Sequence, residues 1–198
     1  MKFSDFKSVR QVLQIYPLAI QKEQFISGIE LRLPDMFINE LNFSLKMQSD
    51  IENEMFYREY FIAPFIRQAW MNHPNLKVWV NQYLAYNDEL TGEPDYFISQ
   101  QVTGVTNDLI GKPLLAVVEA KQEKFKEGWG QCLAGMIACQ KLNATDDVVI
   151  YGVVTTGELW QFAKLTGDVF TRNLLSYSIN DPEKIFGIVS DKVLRDYS

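Results

Sequence analysis

Hydrophobic positions are densest in Pro113-Leu114-Leu115-Ala116-Val117-Val118, an apolar run that closes on Glu119-Ala120-Lys121. A run of this length without polar alternation predicts a strand over 113–121, buried on both faces at a sheet centre. Residues 76–86 alternate Val78, Val80 and aromatics with polar side chains, and Asp95-Tyr96-Phe97-Ile98 opens a similar stretch over 94–100. Both read as strands that form a meander with 113–121. A further buried run, Asp147 to Val154, predicts a strand over 147–155, followed by Leu159–Leu165 and one last short strand. Helical spacing appears over 2–15, with Phe3, Phe6, Val9, Leu13 and Ile15, until Pro17.

Ser49, with Glu52 three residues on, has the form of a capping box and predicts a helix over 50–70. Its apolar stripe is Met55, Ile62 and Ile66, with Glu59 inside it. Gly128-Trp129-Gly130 leads into a helix over 129–142, whose Ala134, Gly135 and Ala138 make a small-residue stripe suited to lying close on a sheet. Gly28–Leu33 is readable as a strand, and Asp181-Pro182 opens a terminal helix. The order helix, three strands, helix, strand places the chain among α/β folds with a central mixed sheet flanked by helices.

The 198 residues suit a single domain: a peripheral N-terminal segment (1–48), a core (49–165), and a C-terminal strand and helix (166–198). A hydrophobic content of 47% excludes a disordered chain. No apolar run is long enough for a membrane helix, and Met1-Lys2-Phe3-Ser4-Asp5 lacks a signal-peptide core, so the expected location is cytoplasmic with no membrane partner. Cys132 and Cys139 fall about 10 Å apart along one helix, too far for a disulfide, and read as reduced core thiols. His73 is the only histidine, which argues against a zinc site and against a hydrolytic triad. A net charge of −6 counts against broad polyanion binding but leaves room for a local basic groove around Lys112, Lys121, Lys124 and Lys126.

Candidate chemistry gathers at the end of the central run. Side chains alternate along a strand, so Glu119 and Lys121 share a face. Charges at the end of a core strand call for a partner or a metal. Asp95 opens the preceding strand and Gln131 the following helix. The helix over 50–70 supplies two acids: Glu59 within the apolar stripe, and Glu54 with Arg58 at i+4, a spacing that also suits a surface ion pair.

In these features the sequence resembles the PD-(D/E)XK nuclease superfamily, with Pro94-Asp95 and Glu119-Ala120-Lys121 as the signature pieces. It is most similar to the nuclease domains of type I restriction motor subunits and their stand-alone relatives. The resemblance spans about residues 50–165, through Glu54, Arg58, Ile62-Ala63-Pro64, Pro94-Asp95-Tyr96, Val118–Lys121, Gly128–Gln131 and Gly152–Trp160. The long connection between Asp95 and Glu119 departs from it. The resemblance implies a restriction-endonuclease-like αβββαβ core. It implies Mg²⁺ or Mn²⁺ held by Asp95, Glu119 and the Ala120 carbonyl, and Lys121 positioning water or stabilising negative charge. Gln131 would orient Lys121 or a phosphate oxygen. Resemblance favours Glu54 as the helix carboxylate, the apolar stripe favours Glu59, and both are retained.

The expected activity is metal-dependent hydrolysis of DNA by an endonuclease of restriction, defence or repair type, with RNA open as a substrate. A homodimer or a partner subunit is compatible with this. The alternative is a catalytically silent nuclease fold serving nucleic-acid binding or complex assembly. A third reading makes the charged residues structural ion pairs of an unrelated α/β domain.

Overall fold

The computed structural model describes residues 1–27, 29–102, 104 and 108–195. A short 3-10 turn, Phe3–Asp5, precedes α1 (Val9–Ile15), which Ser8 caps by accepting the Gln11 N–H. The chain continues through β1 (Ala19–Glu23), α2 (Asp35–Met47), α3 (Glu54–Tyr57), a π-helical turn at Arg58–Ile62 and α4 (Ala63–Met71). Then come β2 (Leu76–Val80), β3 (Leu84–Asn87), β4 (Leu90–Gly92), β5 (Tyr96–Gln100) and β6 (Leu114–Ala120). The second half contains α5 (Phe125–Asn143), β7 (Ile150–Thr155), β8 (Leu159–Thr166), β9 (Val169–Asn173), β10 (Tyr177–Ser178) and α6 (Pro182–Ile188).

The main sheet runs β1-β9-β8-β7-β6-β5-β2, with β10 added to β8. All seven residues of β6 are buried, and β6 lies between antiparallel β5 and parallel β7. Such a strand can be apolar throughout because both of its faces are covered. On one face α5 lies close, because Gly135 admits the Val117 side chain and Gly152 of β7 admits Met136 and Cys132. On the other, Phe65 of α4 meets Trp160 of β8 edge-to-face at 5.6 Å. The mixed sheet flanked by helices is therefore as the apolar periodicity predicts, and the β2-β5-β6 meander with it.

Several boundaries differ. The strand expected over 76–86 is two strands, because Asn81 adopts a left-handed conformation (φ 47°) and turns the chain out of the sheet. Beyond it β3 and β4 form a separate hairpin, anchored by buried Leu84 and Leu90. The helix expected from Ser49 begins at Glu54, since Asn53 caps it by accepting the Met55 and Phe56 N–H groups, while Ser49 donates to Glu52 in the preceding turn. In the π turn the Ala63 N–H donates to the Arg58 carbonyl, five residues back. The wider turn gives room to Pro64, which lacks an N–H and would crowd an α-helical carbonyl. It also displaces the apolar face, so that Phe61, Ile62, Phe65 and Ile66 are buried and Met55 is exposed.

The N-terminal helical stretch is broken at Ser8, and Phe3, Phe6 and Val12 enter the core in place of Leu13 and Ile15. Residues 29–33 form no strand, and Gly28 lies outside the described residues, as do Thr103 and 105–107 of the 101–112 connection and 196–198 of the C-terminal segment. Cys132 and Cys139 are buried and free. Among the described residues, no helix is long and apolar enough to cross a membrane.

Candidate active site at the end of the central strand

The carboxyl end of β6 lies beside the first turn of α5. Glu119 is the penultimate residue of β6, and Lys121 follows immediately, its N–H donating to the Thr155 carbonyl of β7 at 2.9 Å. That bond carries the strand geometry one residue further and keeps Lys121 on the face of Glu119. The Lys121 ammonium stands 3.7 Å from the Glu119 carboxylate, and both side chains are largely buried. The Lys121 stem runs against Gly128, where an added Cβ would sit 3.0 Å from Lys121 Cγ and 2.6 Å from Val154 Cγ1. Only glycine allows α5 to begin this close to the lysine.

Asp95 immediately precedes β5. The β5–β6 ladder ends at the Tyr96–Val118 pair, and the Asp95 side chain acts as the next acceptor. Its Oδ2 takes the Ala120 N–H at 2.8 Å, and its Oδ1 takes Arg58 Nη1 at 2.8 Å. The same guanidinium donates through Nη2 to Asn81 Oδ1 at 2.6 Å and lies over the Tyr96 ring at 5.5 Å. The left-handed Asn81, the π turn and the start of β5 are thus tied together by one arginine.

Glu54 reaches the same strand end, with Oε2 accepting the Gln122 N–H at 3.2 Å. Gln122 also donates from its side chain to the Glu52 carbonyl at 3.2 Å. Glu59 is placed elsewhere: it is exposed, in a groove between α2 and α4. The cause is the shift of the helix face at the π turn. Gln131 is buried near the site, but its amide donates to Glu127 one turn back at 3.3 Å, and Glu127 accepts from Lys7 Nζ at 3.0 Å. Asp95, Glu119, Ala120, Lys121 and Glu54 therefore meet at one strand end, with Gln131 in an adjoining chain of polar contacts.

Burial pushes the Glu119 carboxyl up to about 8; the negative charge of Asp95 adds to the rise, Lys121 opposes it, and Glu54 adds a further increment. A buried carboxyl in this state holds a proton near neutral pH even with the Lys121 ammonium beside it, unless a further cation joins. Cys132, buried one turn further along α5, is pushed well up by burial and then by Glu119. Glu127 is held below the usual carboxylate range, first by its hydrogen bond from Lys7.

Among the described residues, no three His, Cys, Asp or Glu side chains gather as a metal-holding group. A Mg²⁺ site asks for less, since one or two carboxylates and several waters are enough. Each Asp95 oxygen accepts one donor and retains a free lone pair. Together with Glu119 and the Ala120 carbonyl it forms an oxygen donor set of the kind a hard divalent cation takes.

Arg58 was legible in the sequence only in part. Arg58 stands four residues after Glu54, which suggests a local ion pair, whereas the structure gives it the carboxylate of Asp95. The available signal was that a buried aspartate requires a cation. Nothing local to Asn81 or Lys7 announces its partner. No family model matches the chain, and no curated protein matches it.

Proposed function

We propose that the protein is a metal-dependent nuclease that hydrolyses phosphodiester bonds in DNA, on a restriction-endonuclease-like core. The supporting observation is the meeting of Asp95, Glu119 and Lys121 at one strand end, with Glu119 buried beside a second carboxylate. In this reading Asp95, Glu119 and the Ala120 carbonyl hold Mg²⁺ or Mn²⁺, which when bound acidifies water and offsets phosphate charge. Lys121 donates from its ammonium to a phosphate oxygen or to the attacking water, stabilising negative charge as it develops. Arg58 and the Ala120 N–H fix the Asp95 carboxylate so that its free lone pairs keep one direction. Glu54 holds the turn at Gln122 and thereby the direction in which Lys121 leaves the strand. Gly128 and Val154 confine the lysine stem.

A second reading is a silent nuclease fold that binds or assembles. It is favoured by one observation, the engagement of both Asp95 oxygens by protein donors. Nicking of supercoiled DNA separates the two. We expect cleavage with Mg²⁺ or Mn²⁺, none with chelator, and a loss of about a hundredfold or more in Lys121→Ala. Lys121→Ala should melt within ~1 kcal/mol of wild type, or above it, because it removes a charge that is costly to bury. Wild type without cleavage under any metal condition selects the binding module. Undiminished cleavage by Lys121→Ala removes the lysine from the mechanism.

A further inference from the structure

We infer that the outer face of α2 is the contact surface for a second copy of this chain, packed antiparallel about a two-fold axis. Phe37 and Leu41 face α2 inward, whereas Met36, Phe43 and Met47 are 73%, 65% and 60% exposed. Their spacing at i, i+7 and i+11 puts them on one stripe of the helix. Beside that stripe a groove of about 620 Å³ opens between α2 and α4, lined in part by Phe43, Tyr60, Pro64 and Arg67. Tyr60, which lines the groove with Phe43, is 49% exposed.

At ~200 Å² for a large side chain, Met36, Phe43, Met47 and Tyr60 leave roughly 500 Å² of side-chain surface in water. Monomeric soluble proteins seldom expose contiguous apolar patches beyond a few hundred Å², and the ~800 Å² that each partner brings to an interface of standard size includes a polar rim, which exposed Glu40, Lys46 and Arg67 supply here.

The charges on the patch identify the occupant. A two-fold contact must be self-complementary. Asp35 opens α2 and Lys46 lies in its last turn, both exposed. Antiparallel packing of α2 on its mate sets Met36 opposite Met47 and Asp35 near Lys46, with the helix dipoles opposed. The groove carries exposed Glu40 and Glu59 together with exposed Arg67, so opposite charges meet again across the axis. A partner of one charge sign would meet repulsion from part of this surface. The inference stands apart from the reading of the acid–lysine site.

Sedimentation velocity of the full chain from about 1 to 100 µM tests it. Wild type is expected to form a dimer, and Phe43→Asp and Met47→Asp to be monomers over the same range, each with the wild-type far-UV circular dichroism and with a melt that, unlike the wild type's, does not rise with protein concentration. Lys46→Glu should weaken dimerisation at least tenfold, and Asp35→Lys combined with Lys46→Glu should restore it. Wild type that stays monomeric throughout overturns a second copy as the occupant. A dimer indifferent to both aspartate variants, or a charge swap that restores nothing, overturns the α2 contact.

Discussion

With 4% of its surface exposed, Glu119 has almost no water to solvate a charge, and its carboxyl is pushed up to about 8. An unfolded glutamate loses its proton near 4.5. The folded state therefore binds the extra proton between those values, and the stability this contributes is complete below 4.5 and lost as pH rises toward 8. The slope is about 1.4 kcal/mol per pH unit at most. Urea denaturation of the metal-free protein from pH 5 to pH 8.5 should show stability falling, and Glu119→Gln, which keeps the shape and cannot ionise, should flatten the fall. An equal slope in both proteins would place the titration elsewhere. The neighbouring Asp95 instead accepts from Arg58, whose second nitrogen donates to Asn81. One acid is paired with a guanidinium while its neighbour is driven neutral by burial.

At the level of elements, the start of α5 fits its neighbours through two glycines. A Cβ at Gly128 would meet Val154 and the Lys121 stem, and a Cβ at Gly130 would meet the backbone of Phe6 and Ser8 at 2.7–3.0 Å. Gly130 thus admits the N-terminal segment, which crosses α5 and ties Lys7 to Glu127. Both Gly128→Ala and Gly130→Ala should cost about 1–3 kcal/mol from overpacking, read from denaturant midpoints. They should differ in activity. Gly128→Ala displaces Lys121 and should lower DNA cleavage beyond its effect on stability. Gly130→Ala loosens only the N-terminal crossing and should leave cleavage per folded molecule near wild type. Equal effects on cleavage would mean that the lysine stem is not guided by Gly128.

For the molecule as a whole, a net charge of −6 is unevenly spread. The Tyr57 hydroxyl is pushed up first by burial, then by Glu158, Glu52, Asp50 and Glu123, which mark an acidic side of the candidate site. Glu127 is drawn down by Lys7, with Lys124 and Lys121 adding to it, which marks a basic side. A phosphate backbone would approach over the start of α5. Metal binding should couple to stability through the same charges, since a cation that binds only the folded state raises the melting temperature. Mg²⁺ should raise it more at pH 8.5 than at pH 5.5, where the proton on Glu119 competes, and should not raise it in Asp95→Asn. A shift of equal size in that variant would count against the Asp95–Glu119 site.

What periodicity determined was burial along each element. The apolar run of β6 had to be a central strand, the small-residue stripe of α5 had to lie on the sheet, and alternation put Glu119 and Lys121 on one face. Local spacing could not choose partners for the charged ends. Arg58 and Asp95 are 37 residues apart, and Glu54 and Gln122 are 68 apart, so which acid receives the arginine depends on where the sheet brings β5. The choice between Glu54 and Glu59 as the carboxylate at the strand end turned on a π turn, which exists because Pro64 cannot take an ordinary helical turn in that packing. The parallel pairing of β1 with β9, between residues 150 apart, and the crossing of the N-terminal segment over Gly130 were likewise settled by tertiary contact. An exposed edge strand and a glycine with a hidden neighbour carry no local mark of what will lie against them.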